Sequence, residues 1–212
     1  MTASTAATQD PRLARDLAAL ARPGLLVGHR VILPGDERAL LDGEAAAMAT
    51  RPLAARRASG AARLVARALM EQLDIAPVAV PPGPAGAPAW PPGIIGSLAH
   101  GDTVALAALA RGPEIRGVGI DIEPPAPLPP EMRDLVVTAQ EHASLARDPF
   151  AGRLLFAAKE AVYKAVQPLD GLFLEFHDIT VNLAAGRAVV RNGRVVALGL
   201  CVSTHLVALA VV

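Results

Sequence analysis

From Val195 to Val212 the chain is almost wholly apolar, and such a run either crosses a bilayer or lies in a sheet. It is only just long enough to span hydrocarbon, and Ser203-Thr204-His205 interrupts it. Just upstream, Asn192-Gly193 stands between Ala188-Val189-Val190 and Val195-Val196-Ala197-Leu198, a strong two-residue hairpin signal. We therefore read three adjacent strands here, in a soluble protein expected in the cytoplasm with no membrane partner. The Ser/Thr/Ala-rich residues 1–9 lack the positive start and long apolar run of a signal peptide.

The remainder alternates between helical and extended patterning. Asp10-Pro11 reads as an N-cap with proline at the first helical position, opening a helix that Pro23-Gly24 ends. A strand is expected over 27–33, helical segments over 37–49 and 52–73, then an extended Pro/Gly/Ala-rich loop over 77–92 that holds Trp90. Ile94–His100, a tight Gly101-Asp102 turn and Thr103–Ala110 make strand, turn and strand. A second series begins near Arg116: strand 117–123, a proline-rich loop to Pro130, helical patterning over 131–137, 141–146 and 153–166, and the closing strands. This order gives an α+β chain of two small lobes, 1–112 and 113–212. Aromatics are 3% of residues, so the core must be built from Ala, Val and Leu, and the lone Cys201 is expected buried on a strand. With zero formal net charge, no global field recruits nucleic acid.

Two elements carry chemistry. In Gly117-Val-Gly-Ile-Asp-Ile-Glu123 the alternation puts Val118, Ile120 and Ile122 on one side and Gly119, Asp121 and Glu123 on the other. Two carboxylates two apart on a strand can converge on a cation; hard oxygen ligands without His or Cys favour Mg²⁺, with Mn²⁺ as the alternative. Gly119 is expected to leave open space beside them. The same pattern also fits a strand with an ordinary solvated acidic face. The only two lysines in the chain, Lys159 and Lys164, flank Glu160 in Phe156-Ala-Ala-Lys-Glu-Ala-Val-Tyr-Lys-Ala165. In a chain whose other basic residues are all arginine, a compact ammonium is kept where a flat guanidinium would not serve. At helical spacing Leu155, Val162 and Val166 form an apolar stripe, and Glu160 and Lys164 point the opposite way. They would face a site or make a plain surface pair. Lys159 lies nearer the stripe, where it would serve the site or merely snorkel.

These two segments, in this order, resemble the signature motifs of the 4′-phosphopantetheinyl transferases. Trp90-Pro-Pro-Gly-Ile-Ile-Gly-Ser97-Leu-Ala-His100 is similar to an upstream motif of the subgroup that includes the enterobactin- and mycobactin-pathway (surfactin-type) enzymes. The helix over 56–73, with Arg56, Arg57, Arg63 and Arg67, is similar to that subgroup's arginine-bearing helix. The resemblance implies a two-lobed, pseudo-twofold fold with coenzyme A between the lobes. It also implies Mg-dependent transfer of phosphopantetheine to a serine of an acyl or peptidyl carrier protein, in nonribosomal peptide, polyketide or siderophore synthesis, by a monomer that releases adenosine 3′,5′-bisphosphate. By the same resemblance Asp121, Glu123 and Glu160 would hold the metal. Glu160, or a water it orders, would take the serine proton; Lys164 would steady the pyrophosphate and Lys159 add positive charge nearby. Arg56, Arg63 and His100 would meet the phosphates of coenzyme A.

The chain departs from the motifs at three places, with Ala99 before His100, Ala85 five before Trp90 and Ala55 eight before Arg63; Arg56 lies one residue nearer. Each change removes a phosphate-binding group, which implies retained chemistry with looser coenzyme A binding. The alternative function is a non-catalytic homologue that binds coenzyme A or a carrier protein without turnover. His29, His142, His177 and His205 match no motif and are expected to be surface or structural.

Overall fold

The computed structural model describes residues 8–83, 86–145 and 148–212, so Ala85 and Ala146 of the sequence reading lie outside the described residues. The architecture is α+β, in two compact units, residues 1–115 and 116–212.

The first unit opens with α1 (Pro11–Ala18), capped by the Asp10 carboxylate, which accepts from the amides of Arg12 and Leu13. The strand β1 (Leu25–Val31) follows, then a 3₁₀ turn (Asp36–Ala39), the short α2 (Asp42–Ala47) and the long α3 (Leu53–Gln72). β2 (Ile94–His100) and β3 (Val104–Arg111) complete an antiparallel sheet in the order β1-β3-β2. α3 packs on this sheet and passes so close to the 3₁₀ turn that a Cβ on Gly60 would come within 2.0 Å of the Asp36 carbonyl oxygen. Ala105 and Ala107 of β3 are fully buried, and their small side chains let α3 pack closely on the sheet through Ala61, Ala62 and Ala66. The Trp90 ring anchors the extended loop, because it rests over Gly96, where a Cβ would meet it at 2.8 Å.

In the second unit β4 (Val118–Glu123) leads through a 3₁₀ turn (Pro130–Met132), α4 (Arg133–Val136) and α5 (His142–Leu145) to α6 (Ala151–Asp170). After a further 3₁₀ turn (Phe176–Asp178) come β5 (Ile179–Asn182), β6 (Arg187–Val190), β7 (Val195–Val202) and β8 (Leu206–Val211). The antiparallel sheet runs β4-β8-β7-β6-β5, so the final apolar run is two of its strands and β4 is its edge. Cys201 is buried in β7. β5, unread in the sequence, adds a strand at the far edge. The Asn192-Gly193 turn is a three-residue loop: Gly193 is left-handed (φ 86°), its amide bonds the Val190 carbonyl, and Val190 pairs with Arg194. Among the described residues no helix is long and apolar enough to cross a membrane.

α6 buries the stripe expected of it: Leu155, Val162 and Val166 are fully buried, worth about 1.5–3 kcal/mol each on transfer from water. Its opposite contact is with β4, and here the reading of Gly119 is corrected. Gly119 does not border open space. A Cβ there would lie 1.8 Å from the Ala161 carbonyl oxygen, and one on Gly117 2.3 Å from that of Ala165. The two glycines let strand and helix backbones touch. Gly119→Ala is therefore expected to destabilise the protein by about 2 kcal/mol or more, because backbone and not a flexible side chain must yield. Urea denaturation checks this, and an unchanged midpoint would contradict the close packing.

Candidate active site

The close approach of β4 to α6 sets which charges meet. Residue 117 lies by 165 and 119 by 161, so further along the strand Asp121 and Glu123 run toward the N-terminal half of α6. Arg153, Glu160 and Lys164 stand seven and four residues apart, on one face of that helix. The Lys164 ammonium donates to Asp121 Oδ1 at 2.7 Å and to the Ile120 carbonyl at 3.1 Å. At the other end the Arg153 guanidinium meets Glu123 Oε2 at 2.9 Å and the Pro127 carbonyl at 3.0 Å. Glu160 lies between, close enough that the charge on Asp121 raises its pKa.

The carboxylates work against each other. Burial, then the Asp121 charge, pushes Glu160 above its ordinary value, with Lys164 opposing. Burial, then Asp121, also raises Glu123, with Arg153 opposing and Glu160 adding to the rise. Three all-oxygen donors that repel one another fit a hard divalent cation in donor type and in charge. They are not gathered for one in this arrangement. Among the described residues no group of three or more His, Cys, Asp or Glu is placed to hold a metal. Lys164 and Arg153 hold Asp121 and Glu123 instead.

Lys159 does something else. It is fully buried, and its ammonium donates to Glu141 Oε2 at 2.8 Å, the Val136 carbonyl at 2.7 Å and the Phe176 carbonyl at 3.1 Å. Those three bonds take all its protons, so it neither snorkels nor adds free positive charge near a phosphate. Burial lowers its pKa, and the hydrogen bond and charge of Glu141 oppose that shift. Glu141, which the sequence reading passed over, also accepts from the amides of Thr138 at 2.8 Å and Val181 at 2.7 Å. Thr138-Ala-Gln-Glu141 has the spacing of a capping box, the one local signal that could have drawn notice.

The arginine helix of the first unit is likewise turned inward in part. Arg63 is 9% exposed; Nε donates to the Val80 carbonyl at 3.0 Å, Nη1 meets Ser59, and the Glu44 carboxylate lies 3.5 Å away. Burial lowers its pKa, partly offset by Glu44. Glu44, fully buried, also holds Arg67 and accepts from the amides of Leu41 and Val80. The structure thus commits Arg63 to internal bonds, where the motif comparison expected a phosphate contact. Arg56 is half-buried, and its Nε has no acceptor. His100 ends β2 and is exposed, next to buried Ala99, while Ala55 is half-buried. Of the unmatched histidines, His29 is buried and accepts from the Asp10 amide at 2.9 Å.

A cavity of about 360 Å³ opens beside Glu160, walled by Leu135, Tyr163, Phe173 and Phe176 with Lys159 at its lining. Tyr163 and Phe173 meet edge to face, ring centroids 6.1 Å apart.

Comparison with known proteins gives this geometry a family. A family model described as 4′-phosphopantetheinyl transferase N-terminal domain matches residues 43–110, and one described as 4′-phosphopantetheinyl transferase superfamily matches residues 117–205. The chain is 42% identical over 137 residues to 4′-phosphopantetheinyl transferase Npt of Nocardia iowensis, covering 62% of each chain. It is 38% identical over 167 residues to 4′-phosphopantetheinyl transferase Svp of Streptomyces mobaraensis, covering 74% of this chain and 68% of that one. Enterobactin synthase component D of Escherichia coli K12 is 36% identical over 102 residues, 45% of this chain and 48% of that one. The match thus spans less than two thirds of the Nocardia relative's length. With both halves of the chain matched and the shared motifs meeting at β4 and α6, the chain belongs to the 4′-phosphopantetheinyl transferase superfamily.

Proposed function

We propose that this protein transfers 4′-phosphopantetheine from coenzyme A to a serine of an apo carrier protein. The observation that supports this reading is the pairing of Lys164 on α6 with Asp121 on β4, whose charge also acts on Glu123 and Glu160. Asp121, Glu123 and Glu160 would hold Mg²⁺, or Mn²⁺ in its place. When bound, the ion supplies charge neutralisation for the pyrophosphate.

The chain's own residues do the rest. Glu160, kept less acidic than usual by burial, accepts the serine proton directly or through a water it orders. The serine oxygen bonds to the phosphorus that bears pantetheine, and the bond from that phosphorus to the bridging oxygen breaks. Adenosine 3′,5′-bisphosphate leaves, and the Lys164 ammonium offsets the charge that develops on it. The apolar walls of the cavity beside Glu160 suit the pantetheine arm. His100 and Arg56 are the first-unit candidates for the coenzyme's phosphates. Lys159 and Arg63, committed to internal bonds, serve by holding their own units in shape.

The test is the intact mass of an apo carrier protein incubated with this protein, coenzyme A and Mg²⁺. The expected result is the gain of one phosphopantetheine, abolished by EDTA. Binding of coenzyme A without any gain across several carriers would favour the non-catalytic alternative.

A further inference from the structure

Two of the ion pairs that α6 makes differ in one respect. In the Lys159–Glu141 pair every ammonium proton has an acceptor, and both carboxylate oxygens are used. In the Arg153–Glu123 pair the guanidinium reaches Glu123 and Pro127 through Nη1 and Nη2, but Nε is buried with no acceptor. A buried N–H left without a partner carries a desolvation cost, so this arrangement is less complete than the other. Its place matters as well. Arg153 lies two helical turns before Glu160 on the same face, and it holds one of the three carboxylates of the candidate metal site. Lys164, on that face beyond Glu160, holds a second.

On that face Glu160 stands between Arg153, which holds Glu123, and Lys164, which holds Asp121. Three carboxylates against two cations leave the cluster close to balanced. A divalent cation that takes Glu123 as a ligand meets the repulsion of the Arg153 guanidinium, which lies 2.9 Å from Oε2.

We propose that Arg153 is a resident counter-ion of the metal site: its guanidinium neutralises Glu123 in the metal-free protein and gives up that carboxylate when a divalent cation binds. The inference rests on the metal site proposed above. It assigns a role to a residue outside both signature motifs as read from the sequence.

The experiment measures Mn²⁺ affinity by electron paramagnetic resonance in the whole protein without coenzyme A. Arg153→Gln, which keeps a polar side chain and removes the charge, should bind Mn²⁺ about three- to tenfold more tightly than the wild type, as expected for one neighbouring charge in a partly screened site. Arg153→Lys should stay near the wild type. A bridge with only a structural role predicts the opposite sign, because loosening Glu123 would weaken the site. Unchanged or weaker binding by Arg153→Gln, with wild-type binding still dependent on Glu160, overturns the counter-ion role alone. Equal Mn²⁺ affinity in wild type and Glu160→Gln overturns the metal-site reading and the inference with it. A second readout needs no folded variant. In wild-type protein with ¹⁵N-labelled arginine, Mg²⁺ should shift the Arg153 Nε–H resonance, and a resonance unmoved at saturating Mg²⁺ overturns the proposal.

Discussion

Glu160→Gln is expected to lower the rate of phosphopantetheine transfer by roughly 10³-fold, the combined loss of a proton acceptor and a charged metal ligand. Gln has nearly the same shape, so the wall of the neighbouring cavity should survive. Stability provides the control. The pKa of Glu160 is raised in the folded protein, first by burial and then by Asp121. Above the raised value Glu160 is ionised both folded and unfolded, and it costs the fold its full penalty. As pH falls toward the ordinary value of 4.5 the folded protein takes up a proton first, and the penalty disappears. In EDTA at pH 8 the Gln variant should therefore melt no lower than the wild type, with any advantage fading as pH approaches 4.5. Carrier-protein mass against time gives the rate, and melting curves between pH 5 and 8 give the control. Retained transfer would remove Glu160 from the chemistry, and a variant that melts several degrees lower at pH 8 would contradict its strained burial.

Lys159→Met is expected to cost about 3–5 kcal/mol of stability, the range for removing one partner of a buried pair. Its volume is well matched, so the loss would come from charge. Glu141 would stay buried, still held by the Thr138 and Val181 amides but without its cation. The carbonyls of Val136 and Phe176 would lose a donor too. Urea denaturation followed by circular dichroism measures it, and a loss below about 1 kcal/mol would mean that the ammonium is not enclosed. Adjacent residues of one motif should thus have opposite signatures. Lys159 would show itself in stability, and Glu160 in turnover.

The difference between those neighbours was only partly legible in the sequence. Helical spacing correctly separates Leu155, Val162 and Val166 from Glu160 and Lys164, because 3.6 residues per turn fixes which side chains share a face. It leaves Lys159 between the two faces, and its partner Glu141 opens a segment read only as helical, with nothing local to mark it as buried. Only packing against α6 and β5 buries it. Arg63 and Glu44 repeat the lesson in the first unit: a helix of arginines reads as a binding face, yet Arg63 turns toward Val80 and a fully buried carboxylate.

The sequence by itself determined the α+β composition, the hairpins of the final strands and the motifs on β4 and α6, since all of these follow from local periodicity and turn residues. The tertiary structure decided how β4 and α6 meet. Gly117 and Gly119 give no hint of what lies against them, and the reading of Gly119 as open space failed because a missing side chain suits a void and a helix backbone equally well. That contact sets Lys164 on Asp121 and Arg153 on Glu123, pairings between residues more than 25 apart in the chain. Partners so far apart leave no periodic trace, and their charges meet only because two backbones touch.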